Sequence, residues 1–240
     1  MMQKIDILAI GVHPDDVELS CSGTLLKHIA AGKKCAILDL TKGELGTRGS
    51  AQLRTIEANN SSKLMELTFR YQLDLKDGFF LNNEESIKEI CKVIRASQPE
   101  IVLANAIQDR HPDHGRAAKL IADACFYSGL SKNETEFNGL KQSAWRPKAV
   151  YHYIQDHYIH PDFVIDVTNY AEKKREAIMC FSSQFFDPKS TEPQTPISSA
   201  EFIESLFAKM SIWGRAMGVK YAEGFTVTRY PGVDNLFDLK

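Results

Sequence analysis

Apolar residues fall into two alternating rhythms along the chain. Short continuous runs read as buried strands: Ile5 to Val12, Lys34 to Leu40, Glu100 to Ala104, Lys148 to Gln155 and Asp162 to Asp166. Between them the spacing turns helical. Val17 to Ala31 sets Leu19, Leu25, Leu26 and Ile29 near one face before Gly32, and Glu84 to Ser97 does the same with Ile87, Ile90, Cys91 and Ile94. Ala51 to Phe69, Gly115 to Tyr127, Tyr170 to Ser183 and Glu201 to Met217 are further predicted helices. Arg70 to Leu75 reads as a short strand before the turn Lys76-Asp77-Gly78, and Tyr221 to Tyr230 as a short edge strand. Strand and helix alternate, which predicts an α/β fold: a Rossmann-like, mostly parallel sheet with helices on both faces and right-handed crossovers. Ser128 to Arg146 is polar and reads as a long loop. Asp187 to Ser199 holds Pro188, Pro193 and Pro196 and reads as a surface excursion, a lid or an oligomer contact. With no internal repeat and no sharp linker, residues 1–240 are expected to form a single domain.

Two of the predicted strands end in the same unusual chemistry. The first runs into His13-Pro14-Asp15-Asp16, where proline ends the ladder. The strand ending at Ala104 leads into Asp109-Arg110-His111-Pro112-Asp113-His114. Ligands of open α/β sheets sit at the carboxyl ends of strands, so both clusters fall at one sheet edge. His13 and Asp16 lie three apart in a turn, close enough to bind one ion, and His114 supplies a third ligand from the other cluster. Three protein ligands with one open position suit catalytic zinc, and imidazole with carboxylate also suits iron or cobalt. Asp15, beside the ligands, is a candidate general base. His111 is a candidate donor to a developing oxyanion or a leaving nitrogen, with Asp113 to hold its tautomer. His28, His152, His157 and His160 read as structural or solvated. The loop Thr41 to Ser50 (TKGELGTRGS) is placed for substrate contacts, and Arg54 and Glu57 share a helix face behind it.

Bulk properties narrow the choice. Of 240 residues, 43% are hydrophobic and 25% charged, enough core for one large domain. A net charge of −2 offers no field for nucleic acid or anionic lipid. The five cysteines are scattered and odd in number, as expected of buried thiols in the cytoplasm. The N-terminal stretch is too quickly polar for a signal peptide, and no apolar run reaches the ~20 residues of a membrane span. GxxxxGK[ST] and a GxGxxG after the first strand are both absent, which weighs against a nucleotide site. A metal-binding module without turnover remains a rival.

The motifs resemble the LmbE / PIG-L family of zinc-dependent N-acetylglucosamine deacetylases. Gly11 to Glu18 matches the HPDDxE signature and His111 to His114 the HPDH that opens a helix. Ser22-Gly23-Thr24, the TKGELGTRGS loop with Arg54 and Glu57, and Phe181 to Gln184 are also similar. The LKDGFF turn and the late YAEGF look most like the branch that hydrolyses N-acetylglucosaminyl-malate in bacillithiol biosynthesis. The resemblance implies His13, Asp16 and His114 as ligands of Zn2+ (or Fe2+ or another divalent ion), Asp15 as base, and His111 with Asp113 as its partner. It further implies Arg54 against the substrate or tetrahedral intermediate, Asp77 against sugar hydroxyls, a small amino-sugar substrate, and a homo-oligomer, trimer or hexamer. Chitooligosaccharides, antibiotic precursors and thiol conjugates are the alternative substrates.

Overall fold

Strands and helices alternate through the first half of the chain, as the apolar rhythm predicts. The computed structural model describes residues 2–239. The order is β1 (Ile7–Gly11), α1 (Asp16–Ala30), β2 (Cys35–Asp39), α2 (Ala51–Met65), β3 (Phe69–Gln72), α3 (Glu84–Ser97), β4 (Ile101–Ala104) and α4 (Pro112–Tyr127). A hairpin of β5 (Glu136–Phe137) and β6 (Leu140–Lys141) follows, then β7 (Ala149–Tyr153), β8 (Phe163–Asp166), α5 (Ala171–Met179), α6 (Ala200–Met217) and β9 (Ala222–Val227).

The main sheet has the order β3-β2-β1-β4-β7-β9-β8. Pairings from β3 through β7 are parallel, and β9 runs antiparallel to both neighbours. All of β1 is buried because helices cover both faces. Leu8 and Ile10 join Ile90 of α3 and Leu120 of α4 on one side. Ile7 and Ala9 join Leu25 of α1 and Phe225 of β9 on the other.

Some expected boundaries move for local reasons. α2 stops at Met65 because Glu66 takes a left-handed φ of 61°, so Leu67 and Phe69 leave the helix. α4 starts earlier than expected, with Pro112 in its first turn and His111 as its cap. The loop after Tyr127 holds the unexpected β5–β6 hairpin. The strand expected at the sheet's edge near Tyr221 is a correction: β9 lies inside, between β7 and β8, and β8 takes the edge. Even its polar residues Glu223 and Thr226 are buried. No helix among the described residues is long and apolar enough to cross a membrane.

β1 lies between β2, which follows it in sequence, and β4, which comes much later. This is the switch point of the sheet, where crossovers diverge and leave a crevice at the strands' carboxyl ends. Register sets Ile7 opposite Ile101 and Ala9 opposite Leu103, so β1 and β4 end level.

Candidate metal centre

Asp16 is the most fixed group at the crevice. Its Oδ2 accepts from the backbone N–H of Val12 (2.9 Å) and His13 (3.0 Å) and from the side-chain amide of Asn105 (3.0 Å). Its Oδ1 accepts from Gln155 Nε2 at 3.0 Å and faces two imidazoles. Residue 11 must be small for this packing, since a Cβ on Gly11 would come within 3.0 Å of the Asp16 Cβ.

His13 presents Nδ1 to Asp16 Oδ1 at 3.7 Å, and His114 presents Nε2 to the same oxygen at 3.3 Å. Donor atoms of His13, Asp16 and His114 all lie within 4.8 Å of one another. The far nitrogens are tied down: His13 Nε2 to Asp77 Oδ1 at 3.0 Å, and His114 Nδ1 to Asp109 Oδ2 at 2.5 Å. A carboxylate behind each imidazole fixes the ring, sets its tautomer and raises its basicity toward a cation. Asp16, Asp77 and Asp109 make ion pairs only with these imidazoles among the described residues. The cluster therefore lacks positive charge, and this donor set fits a divalent cation.

Titration follows the same balance. Burial pulls His114 down, but Asp16 and Asp109 outweigh it and lift it to about 9. Burial also opposes the proton on His13, and Asp113, Asp16 and Asp77 overcome it, so His13 is raised as well. Asp16 would be pushed up by burial, but His114 and His13 hold it well below the usual carboxylate range.

Asp15 lines the same cleft and is paired with Arg54. Its φ of 115° is a rare conformation for a residue with a side chain, held by its surroundings. Arg54 Nη2 donates to Pro14 O at 2.7 Å and to Asp15 Oδ2 at 2.9 Å. Burial pushes the Asp15 carboxyl up to about 7 against the pull of Arg54. A carboxylate poised near neutrality beside a cation site is suited to general base work.

His111 stacks on His114 with ring centroids 5.2 Å apart. Its Nδ1 accepts the backbone N–H of Asp113 at 3.3 Å, which places its own proton on Nε2. Burial, then the charges of His13 and His114, lower its pKa, so it is a neutral donor. The Asp113 carboxylate does not serve His111 in the way the spacing suggested. It accepts from Gly78 N–H and Arg116, and lies 3.8 Å from His13 Nε2. Asp77 is likewise occupied, its two oxygens taken by His13 and the Leu45 N–H. Both carboxylates therefore act behind His13. Arg54 lines the cleft, but its guanidinium is engaged by Asp15 and by the carbonyls of Pro14 and Gly43.

The cleft encloses about 420 Å³. The ligands and Asp15 line it together with Phe202, Leu206 and Lys209 of α6 and with Thr195 to Ile197. The proline-rich excursion is thus part of the cleft, fastened to the glycine loop by Arg48 to Ser190 and Gly49 N–H to Glu192. Glu57 receives Ser182 and Ser183, joining α2 to the Phe181–Gln184 segment.

Asn105, Asp109, Gln155 and Lys209 were not singled out from sequence. Asn105 and Gln155 each follow a parallel strand at the site's edge, so a search of polar residues just beyond strand ends would have found them. Asp109 stood in the second cluster without a role. Lys209, which burial pulls down to about 8, donates to the Gln155 and Asp156 carbonyls and gave no signal on its helix.

The family model for GlcNAc-PI de-N-acetylase, PIG-L, matches residues 8–125, the span that carries both clusters. The chain belongs to the PIG-L family. A relative in Escherichia coli (strain K12), the uncharacterised deacetylase YaiS, is 34% identical over 114 residues, covering 45% of this chain and 61% of that protein. The match therefore spans less than two thirds of that relative's length. The conserved protein TT1542 from Thermus thermophilus superposes with a TM-score of 0.85 at 30% identity, over 97% of this chain and 98% of that one. N,N'-diacetylchitobiose deacetylase from Pyrococcus horikoshii shares the fold (TM-score 0.77, 24% identity, 93% and 83% covered). So does the 4-carboxy-2-hydroxymuconate hydratase GalB of Pseudomonas putida KT2440 (0.77, 19%, 97% and 100%). The PIG-L architecture thus occurs with more than one named reaction, and the site must decide between them.

Proposed function

We propose that this PIG-L protein is a metal-dependent N-deacetylase that removes acetate from an N-acetylglucosamine conjugate, N-acetylglucosaminyl-malate in bacillithiol biosynthesis. The observation that carries the chemistry is the pairing of a carboxylate-backed His13–Asp16–His114 cluster with a second carboxylate, Asp15, poised near pH 7. His13, Asp16 and His114 would hold a divalent ion, zinc by preference, which would supply Lewis acidity for the acetamide carbonyl and lower the pKa of water toward neutrality. Asp15 takes the proton from the attacking water, with Arg54 holding Oδ2 in place. The His111 Nε2–H donates to the oxygen that gains negative charge. Asp77, Asp109 and Asp113 keep the two imidazole ligands aligned.

The sugar-malate reading is supported by the HPDDxE and HPDH motifs and by the late YAEGF. It is also supported by Arg110 and Lys209 in the cleft wall, cations suited to an acidic aglycone. Acetate release from N-acetylglucosaminyl-malate, measured with and without chelator, tests it. Equal turnover of N-acetylglucosamine conjugates lacking malate would move the assignment to another substrate of the same class. Bound metal with no acetate released from any acetylated amino sugar would leave only a binding module. Free thiols at all five cysteines support a reducing compartment, the cytoplasm, for the reaction. Assembly into trimers or hexamers belongs to the same proposal. Exposed Tyr230, Leu236 and Phe237 offer apolar surface for it, and sedimentation at graded concentration measures it.

A further inference from the structure

Two motifs remain unused by the site: Ser22-Gly23-Thr24 and Ala222-Glu223-Gly224-Phe225. They meet across 199 residues, from Thr24 to Glu223. α1 is interrupted at Cys21, whose φ of −139° and ψ of 16° are not helical. In an unbroken helix the Gly23 N–H would serve the Leu19 carbonyl. Instead, Gly23 N–H donates to Glu223 Oε1 at 3.0 Å, and the Leu19 carbonyl accepts from Lys174 Nζ at 2.8 Å. Thr24 gives its N–H and its hydroxyl to Glu223 Oε2 at 2.7 and 2.6 Å. Lys174 and Glu223 close the circuit at 2.6 Å, and both are fully buried. An ion pair from α5 and β9 is inserted into the break in α1. Glycine at 23 permits the approach, since a Cβ there would sit 2.9 Å from Glu223 Oε1 and from Val167.

The break isolates one turn. Asp16 to Ser20 lies between Asp15, with φ 115°, and Cys21, and it carries Asp16 to the centre and Leu19 to the cleft wall. A buried ion pair rarely stabilises a fold more than apolar residues of the same volume. An apolar pair, however, could not satisfy the opened N–H and carbonyl groups. We propose that Lys174 and Glu223 are positioning residues for the metal centre: they fix the break in α1 and hence the angle at which the Asp16–Ser20 turn presents Asp16 to His13 and His114. The inference rests on the metal-centre reading.

Metal-free protein titrated with Co2+ alone, followed by its visible absorption, tests both separately. Wild type binding no Co2+ at this centre overturns the metal reading and this inference with it. Given wild-type binding, Lys174→Met is expected to weaken Co2+ affinity at least about tenfold, alter the absorption bands and lower kcat with KM nearly unchanged, consistent with lost support behind a ligand. Ile178→Ala, a cavity one turn along the same helix that leaves both charges and their hydrogen bonds in place, is expected to lower Tm and leave affinity within about twofold. Lys174→Met with wild-type affinity and bands overturns the proposal, as does Ile178→Ala with an equal loss of affinity. If Lys174→Met does not fold, Thr24→Val removes only the hydroxyl bond to Glu223. An affinity loss of about threefold supports the proposal and none overturns it.

Discussion

Two buried ionic clusters lie within a few residues of each other on α1, and they differ in how their charge is completed. At the Cys21 break, one carboxylate meets one ammonium, and each remaining contact is a backbone group or a hydroxyl. The protein itself neutralises that cluster. Around Asp16, four carboxylates (Asp16, Asp77, Asp109 and Asp113) face two imidazoles at the end of an open cleft, and among the described residues only Asp113 is also paired with a guanidinium, that of Arg116. The first cluster is finished by the polypeptide and the second is left for an ion. Burial alone therefore does not separate structural charge from functional charge; the identity of the neutralising partner does.

The strongest test of that contrast is Asp15→Asn. The variant keeps shape, and asparagine tolerates a positive φ, so metal content should stay at the wild-type level while turnover falls by about 10²- to 10⁴-fold. Turnover within a few fold of wild type would remove Asp15 from the chemistry. Asp109→Asn leaves the first three ligands intact but takes the carboxylate from behind His114. Metal affinity should drop by about 10- to 100-fold, read by competition with a chromogenic chelator. An unchanged affinity would mean that the ring orients without it.

Protons provide a third test. His114 in the metal-free protein is lifted to about 9, so below that pH an ion must displace a proton. Apparent affinity should rise by about tenfold per pH unit from 7 to 9, or more where His13 releases its proton too. The linked stability has the opposite sign. Because the folded pKa lies above the ordinary ~6.5, the proton stabilises metal-free protein fully below about pH 6.5, and this is lost as pH climbs through about 9. Thermal melts of metal-free and loaded protein across that range should diverge as pH rises. The smallest effect belongs to the α6 residues of the cleft. Leu206→Ala should raise KM by about three- to tenfold and leave metal affinity alone, since α6 touches the cleft and not the ligands.

Much of this was legible in the chain, and particular residues show where legibility stops. Continuous apolar runs gave the strands because a strand buried on both faces has few polar positions. Pro14 and Pro112 marked where backbone pairing or helix entry had to change. The two His-Pro-Asp clusters could be placed at one edge because parallel strands must end on the same side. By contrast, Asp77 was read toward the substrate and Asp113 toward His111, yet both lie behind His13. Which way a carboxylate turns depends on neighbours contributed by distant segments, here Leu45, Gly78 and Arg116. β9 shows the same limit. It was expected at the edge of the sheet, yet it lies inside, with its glutamate satisfied by Lys174, Gly23 and Thr24.

The sequence by itself determined the strand–helix alternation, the parallel sheet and the ligand types at two strand ends, because these depend on local periodicity and on residues a few positions apart. Only the tertiary structure decided that the two ends are level and that each imidazole has a carboxylate behind it. It alone placed an ion pair in the break that aims Asp16. Apart from Asp109 and His114, five residues apart, those relations join groups tens to hundreds of residues apart, and no local rule of spacing encodes a distance that chain closure sets.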